Sequence, residues 1–213
     1  TMAAAEMSVA LVYSVFRNIP QAYHAAKNND FRRSKFVGEE LEGKVAGVIG
    51  LGKIGSVVVR KLTGAGMKVI GYDPYVTDER IAQLGITRME TLDELLQVSD
   101  LITIHIPKSP ESKNLIGARE LALCKKGVRI INVARGGMVD EKALYDALVS
   151  GHVAGAALDV QEAEPNFNKA PEDQDYKNPL LDLDKVIMTP HLGASTKEAS
   201  LNCSLGVSKN VEA

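Results

Sequence analysis

Between Lys44 and Asp73 the chain spells strand, glycine turn, helix, strand and acid, an order that few folds accommodate. Val45-Ala46-Gly47-Val48-Ile49 is a short apolar run. It is followed by Gly50-Leu51-Gly52-Lys53-Ile54-Gly55 and a helix-competent segment from Ser56 to Leu62. Each glycine has its own task. Gly50 permits a tight turn off the strand, Gly52 leaves bare backbone for a close ligand, and Gly55 lets the helix lie near the sheet. The free N–H groups and positive dipole end of that helix suit phosphate, and Lys53 and Ile54, in the turn that leads into it, are candidate contacts as well. Lys68-Val69-Ile70-Gly71-Tyr72-Asp73 is a second strand-like run ending in an acid, 18 positions after Gly55. An acid about 20 residues on is placed to bond the adenosine ribose of a dinucleotide. The charge of Asp73 would also repel the extra phosphate of NADP, which makes NAD the expected cofactor. A glycine-rich turn alone is weakly diagnostic; the ordered sequel carries the reading.

The remaining chain continues the alternation. Helical stretches are expected at 78–84, at 91–98 (Thr91 capping, with Glu94 three residues on), at 118–125 and at 141–149. Strands are expected at 101–106, 128–134, 154–160 and 186–191, several of them continuous apolar runs suited to burial on both faces. The pattern predicts an α/β fold with a doubly wound parallel sheet of the Rossmann kind. Residues 41–194 would be its core and 195–213 a C-terminal hinge helix. Residues 1–40 read as a helical extension, with Pro20 opening a second helix. Its apolar face at Met2–Phe16 is expected either against another domain or subunit or on its own domain. Asn166 to Asp184 carries Pro171, Pro179 and Asp173-Gln174-Asp175 with little periodicity, and reads as a loop too polar for core.

The 213 residues carry a formal charge of −2 and are 45% hydrophobic, an ordinary globular balance with no bias toward nucleic acid or an acidic membrane surface. No apolar run approaches the roughly 18 residues of a membrane span. The alanine-rich opening lacks the marks of a signal peptide. Two cysteines, Cys124 and Cys203, read as free thiols in a reducing cytoplasm, and with His24 and His152 they show no metal-ligand spacing. Starting at Thr1 suggests a piece of something longer.

In such sheets chemistry collects just past the carboxyl ends of the strands. There the chain offers Arg135-Gly136-Gly137, then Glu162 and Glu164-Pro165, then His191-Leu192-Gly193-Ala194-Ser195-Thr196. An Arg followed by two glycines leaves its guanidinium unobstructed for a bidentate carboxylate contact. A cation, a carboxylate and an imidazole at three successive strand ends form a candidate catalytic set. His105 reads as structural.

These motifs carry a resemblance. Gly50-Leu51-Gly52-Lys53-Ile54-Gly55, Asn132-Val133-Ala134-Arg135-Gly136-Gly137, Gly155-Ala156-Ala157-Leu158-Asp159-Val160 with Glu164-Pro165, and Pro190-His191-Leu192-Gly193-Ala194-Ser195-Thr196 resemble, in order, the motifs of the D-2-hydroxyacid dehydrogenases. The resemblance runs from about Ala3 to the end and implies an isolated NAD-binding domain lacking the substrate lobe. It implies that Arg135 clamps the carboxylate of a small 2-hydroxy acid and that His191 takes the hydroxyl proton while paired with Glu164. It also implies that Ile106, Val133, Ala134, Arg135, Asp159, His191, Leu192, Gly193 and Ala194 lie against the cofactor, and that the domain forms a homodimer. The Gln161-Glu162-Ala163 approach to Glu164 departs from many members, which leaves Glu162 as the rival partner for His191. The 166–184 stretch is also longer than is usual among members.

Overall fold

The structure, a computed structural model, describes residues 2–202. Its strands are β1 (Val45–Ile49), β2 (Lys68–Tyr72), β3 (Thr87–Arg88), β4 (Leu101–Ile104), β5 (Val128–Asn132), β6 (Val153–Leu158) and β7 (Val186–Met188). They form one 7-stranded sheet in the order β3-β2-β1-β4-β5-β6-β7, with every neighbouring pair parallel. The strand order reverses between β1 and β4, and that switch opens the crevice where ligands of such sheets bind. The doubly wound architecture is as expected. Strands 101–106, 128–134, 154–160 and 186–191 were each expected two or three residues too long at their carboxyl ends, where apolar residues continue into loops.

Helices α1 (Met2–Arg17), α2 (Ile19–Lys27), α3 (Lys53–Gly64), α4 (Asp78–Leu84), α5 (Leu92–Val98), α6 (Ala118–Leu123) and α7 (Glu141–Val149) cover the sheet. Their ends follow from local chemistry. Thr91 and Glu94 form a reciprocal capping box at α5, and Asp140 accepts from Ala143 N at 3.0 Å to cap α7. Thr77 caps α4, and Gly85 ends it in the left-handed region at φ 65°. Helix α3 is different: its N-cap is Gly52 and no side chain caps it.

Alternate residues of each central strand feed two cores. Ile102, Ile104, Val128 and Ile130 pack with Leu95, Leu121, Leu144 and Leu148 of α5, α6 and α7. Leu101, Ile131, Val133 and Ala157 face the other way, onto α1 and α3. Of the two seats left open for the apolar face at Met2–Phe16, the described residues show the second, its own domain. Helix α1 buries Ala5, Ser8, Leu11, Val12, Val15 and Phe16 against its own domain, meeting α3, β5, β6 and β7. Burying Leu11, Val12, Val15 and Phe16 is worth roughly 1.5–3 kcal/mol each. The physical reason lies in the winding. The crossover helices α5, α6 and α7 lie on one face of the sheet, α5 over β1 and β2 and α7 over β6, and α1 closes the opposite face. Arg129 on β5 fastens it, lying 4.1 Å from the Phe16 ring while donating to Glu39 Oε1 at 2.9 Å.

Helix α2 and the turn after it bury no side chain and expose Ile19, Tyr23, Phe31 and Val37. The 166–184 segment is a loop with single turns at Pro171–Asp173 and Pro179–Asp182. It is not wholly outside the core, because Leu180 inserts beside α7 and is 1% exposed. A helix begins at Lys197; the rest of the expected hinge helix, and Cys203, lie outside the described residues. No helix among the described residues is long and apolar enough to cross a membrane.

Candidate active site

The glycine turn sits at the switch between β1 and β4. Gly50 has φ 89°, and a Cβ there would lie 2.5 Å from the His105 carbonyl oxygen and 2.7 Å from Ile106 Cγ2. A Cβ on Gly55 would fall 1.9 Å from the Gly50 oxygen, so close helix–turn packing demands glycine at both places. Gly52 meets nothing within 4 Å, so its backbone faces open space. Uncapped N–H groups of α3 at Lys53 and Ile54, together with the bare Gly52 peptide, fit a diphosphate. Asp73, at the end of β2, accepts from Leu51 N at 2.9 Å through one oxygen and from Tyr75 N at 2.9 Å through the other. The acid is therefore fastened to the glycine turn itself. Ile106 packs beside the turn, and His105 bonds Thr103 Oγ1 at 2.8 Å. Burial pushes the His105 imidazole down to about 4, in keeping with a structural role.

Past β5, Asn132 shapes the loop that carries Arg135. Its side chain accepts from Ala134 N at 3.0 Å and donates to the Arg135 carbonyl at 2.9 Å. The Arg135 guanidinium is exposed, donates to the Ala134 carbonyl at 2.7 Å, and has no carboxylate partner among the described residues. The two glycines after it serve the backbone rather than access to the guanidinium. A Cβ on Gly136 would sit 1.7 Å from the Gln161 carbonyl oxygen, and Gly137 has φ 82°.

His191 follows β7 in the left-handed region at φ 56°, a conformation uncommon outside glycine. Asp159 holds it there. Its carboxylate accepts from Thr189 Oγ1 at 2.5 Å, Leu192 N at 2.8 Å and Gly193 N at 2.7 Å. Asp159 is 0% exposed and shapes the His191 turn from beneath. Gly193 is buried against Val133, and Ala4 of α1 lies close by. Val133 itself is 6% exposed, while Leu192 and Ala194 are open to solvent. His191 Nδ1 lies 2.8 Å from Glu164 Oε1, and Phe167 approaches the imidazole edge-on with centroids 6.3 Å apart. Between the two acids left open by the sequence, the geometry pairs Glu164. Glu162 shows no contact with His191 among the described residues; its backbone N–H donates to Glu141 Oε1 at 2.7 Å.

Sequence reasoning missed the loop after β4. A cavity of about 600 Å³ opens between that loop and the Gly136–Met138 turn, lined by Lys108, Ser109, Lys113 and Glu162. The signal was available, since Lys108 stands just past a central strand end. Among the described residues no group of three or more His, Cys, Asp or Glu could hold a metal.

The glycine turn thus lies at the switch point, with an arginine and a histidine–carboxylate pair on neighbouring strand ends. The family model described as "D-isomer specific 2-hydroxyacid dehydrogenase, NAD binding domain" matches residues 9–193. The chain belongs to that family. This 2-hydroxyacid dehydrogenase domain is 47% identical over 211 residues to the D-3-phosphoglycerate dehydrogenase of Bacillus subtilis, covering 99% of this chain and 38% of that protein. The chain thus spans about two-fifths of the length of that relative. Among solved structures it superposes on the pyruvate reductase of Chlamydomonas reinhardtii with a TM-score of 0.87 at 36% identity, covering 92% of this chain and 61% of that one. The D-lactate dehydrogenase of Aquifex aeolicus, solved with NAD and lactic acid, gives a TM-score of 0.87 at 32% identity, over 99% and 65% of the two chains. The cofactor of this domain is NAD, as its family description states.

Proposed function

We propose that this domain serves a cytoplasmic D-3-phosphoglycerate dehydrogenase, which oxidises 3-phosphoglycerate to 3-phosphohydroxypyruvate at the entry to serine synthesis. The observation that carries the reading is the His191–Glu164 pair at 2.8 Å, on a sheet whose neighbouring strand end presents the unpaired Arg135. The relatives' shared name supports the choice of substrate.

Arg135 releases the Ala134 carbonyl and closes as a fork on the substrate carboxylate, which fixes the 2-carbon over the crevice. Ionised Glu164 can only accept, so Nδ1 of His191 carries the hydrogen and Nε2 is the atom that takes the hydroxyl proton. Bound NAD would supply the acceptor for the hydride that leaves the 2-carbon. In the reverse direction Nε2 returns its proton to the new alkoxide. Gly52, Lys53 and Ile54 would hold the diphosphate of the cofactor through backbone N–H groups, and Asp73 would hold its ribose. A second copy of this chain is the proposed partner. The aromatic and aliphatic surface at Ile19, Tyr23, Phe31 and Val37 supports that partner, rather than the buried face of α1.

Two measurements test this reading. Steady-state rates of the full-length enzyme should favour 3-phosphoglycerate over unphosphorylated acids. A marked preference for hydroxypyruvate or glyoxylate would make it a reductase of the same family, and NAD binding without turnover would make it an NAD-sensing, corepressor-like protein. Sedimentation should show a dimer; a monomer at all concentrations would remove the partner.

A further inference from the structure

Arg80 on α4 is a cation without an acid. Its Nη2 donates to Ser56 Oγ at 2.7 Å and its Nη1 to Gln83 Oε1 at 3.4 Å, both neutral groups. Of the two acids on the same helix, Asp78 is taken by Arg88 at 2.8 Å, and Glu79, the residue next to Arg80, makes no ion pair with it. No carboxylate of the described residues pairs with Arg80. A guanidinium resting on two neutral oxygens has donors to spare, and Arg80 is exposed, so nothing encloses it.

Its place matters more than its lack of a partner. Ser56 Oγ lies 2.9 Å from the Leu51 carbonyl oxygen and 2.7 Å from that of Gly52, so Arg80 is tied through Ser56 to the glycine turn. Leu51 N donates to Asp73 at 2.9 Å. One dipeptide, Leu51-Gly52, therefore carries the ribose-binding acid at one end and a free guanidinium at the other. NADP differs from NAD only by a phosphate on that same ribose, and a planar guanidinium is the side chain best matched to a phosphate.

We propose that Arg80 is a ready ligand for the 2′-phosphate of NADP that the charge of Asp73, already expected to repel that phosphate, keeps out of use. Charge, and not shape, is then the barrier to NADP. In NAD binding Arg80 has no part.

Calorimetric titration of the chain with NAD and with NADP tests this on wild type, Asp73→Ser, Arg80→Ala and the double variant. Wild type should prefer NAD by on the order of 100-fold, the size of a like-charge penalty of a few kcal/mol. Asp73→Ser should cut the preference to about 10-fold or less. Adding Arg80→Ala to it should weaken NADP about 10-fold, as expected for a lost charge-assisted bond, and leave NAD within about twofold. Because Asp73 also anchors the turn, Asp73→Asn, which keeps an acceptor, replaces Asp73→Ser if thermal melts show the serine variant unfolded. Equal NADP affinity with and without Arg80 in the Asp73-substituted background overturns the proposal. Equal weakening of both cofactors by Arg80→Ala also overturns it, because Arg80 would then serve the shared part of the site. Failure of wild type to bind NAD would count instead against the cofactor assignment beneath it.

Discussion

Nδ1 of His191 meets Oε1 of Glu164 at 2.8 Å across 27 residues of sequence, joining the loops that follow two neighbouring strands. The contact fixes the orientation of the ring and the tautomer at once, since a carboxylate can only accept. His191→Ala in the full-length enzyme should lower kcat by about 10²–10⁴, the range for a lost acid–base group, with NAD affinity within about twofold. Glu164→Ala should lower kcat with less change in KM, and Glu164→Gln, which still accepts from Nδ1, should restore part of it. Full activity in His191→Ala would remove the proton-transfer assignment. A glutamine no better than alanine would show that the charge of Glu164, rather than its hydrogen bond, is what matters.

Asp159 supports the same imidazole from below. Removing a buried acceptor of three bonds leaves the Leu192 and Gly193 N–H groups without partners, so Asp159→Ala should cost on the order of 3 kcal/mol. The left-handed backbone at His191, which the Asp159 bonds hold, should relax at the same time. Asp159→Asn keeps one acceptor oxygen and should lose less of both stability and kcat. Denaturant melts beside steady-state rates check this; an Asp159→Ala protein as stable and active as wild type would contradict the buttress.

Gly52 and Gly136 should respond to alanine in opposite ways. At Gly52 the methyl meets nothing within 4 Å, so the fold should be untouched while NAD binding weakens because the methyl stands where phosphate approaches. At Gly136 the methyl would lie 1.7 Å from the Gln161 oxygen, forcing the backbone to move at roughly 1–3 kcal/mol. Arg135, the preceding residue, would move with it, so KM for the hydroxy acid should rise while NAD affinity holds. Thermal melts and NAD titrations on both variants separate the two cases. A Gly136→Ala protein with unchanged melting and KM would be evidence against the close approach.

These residues also mark where the sequence was legible. The capping box of α5 and the full span of α7 are local patterns of three to nine residues, and both could be read directly. So could the glycine turn, because its steric demands come from neighbours a few positions away. The role of Asp159 could not, since its partners at 189, 192 and 193 come from another loop. Nor could the seat of α1: helical periodicity reports that one face is apolar, but not which surface will cover it. Strand ends were overrun because Val133 and Ala134 are as apolar as the strand they follow, and β3, with two residues, is too short to show a period.

His105 gives the fold a pH dependence that can be isolated. Its pKa falls from the usual 6.5 to about 4 on burial, so below pH 6.5 the unfolded chain binds a proton that the folded chain refuses. Stability contributed by the neutral ring is therefore fully present above pH 6.5 and declines as pH falls, until the folded ring also protonates near pH 4. With that shift the loss by pH 5 is about 2 kcal/mol, since one pKa unit is worth about 1.4 kcal/mol. The ring's partner is the Thr103 hydroxyl, which can donate to a neutral imidazole but offers an imidazolium only a neutral acceptor. His105→Gln keeps a hydrogen-bonding side chain and removes the titration. Urea melts at pH 7 and pH 5 should show a smaller drop in the glutamine variant than in wild type, by about that amount. Equal drops in the two proteins would mean that His105 is solvated enough to charge in place.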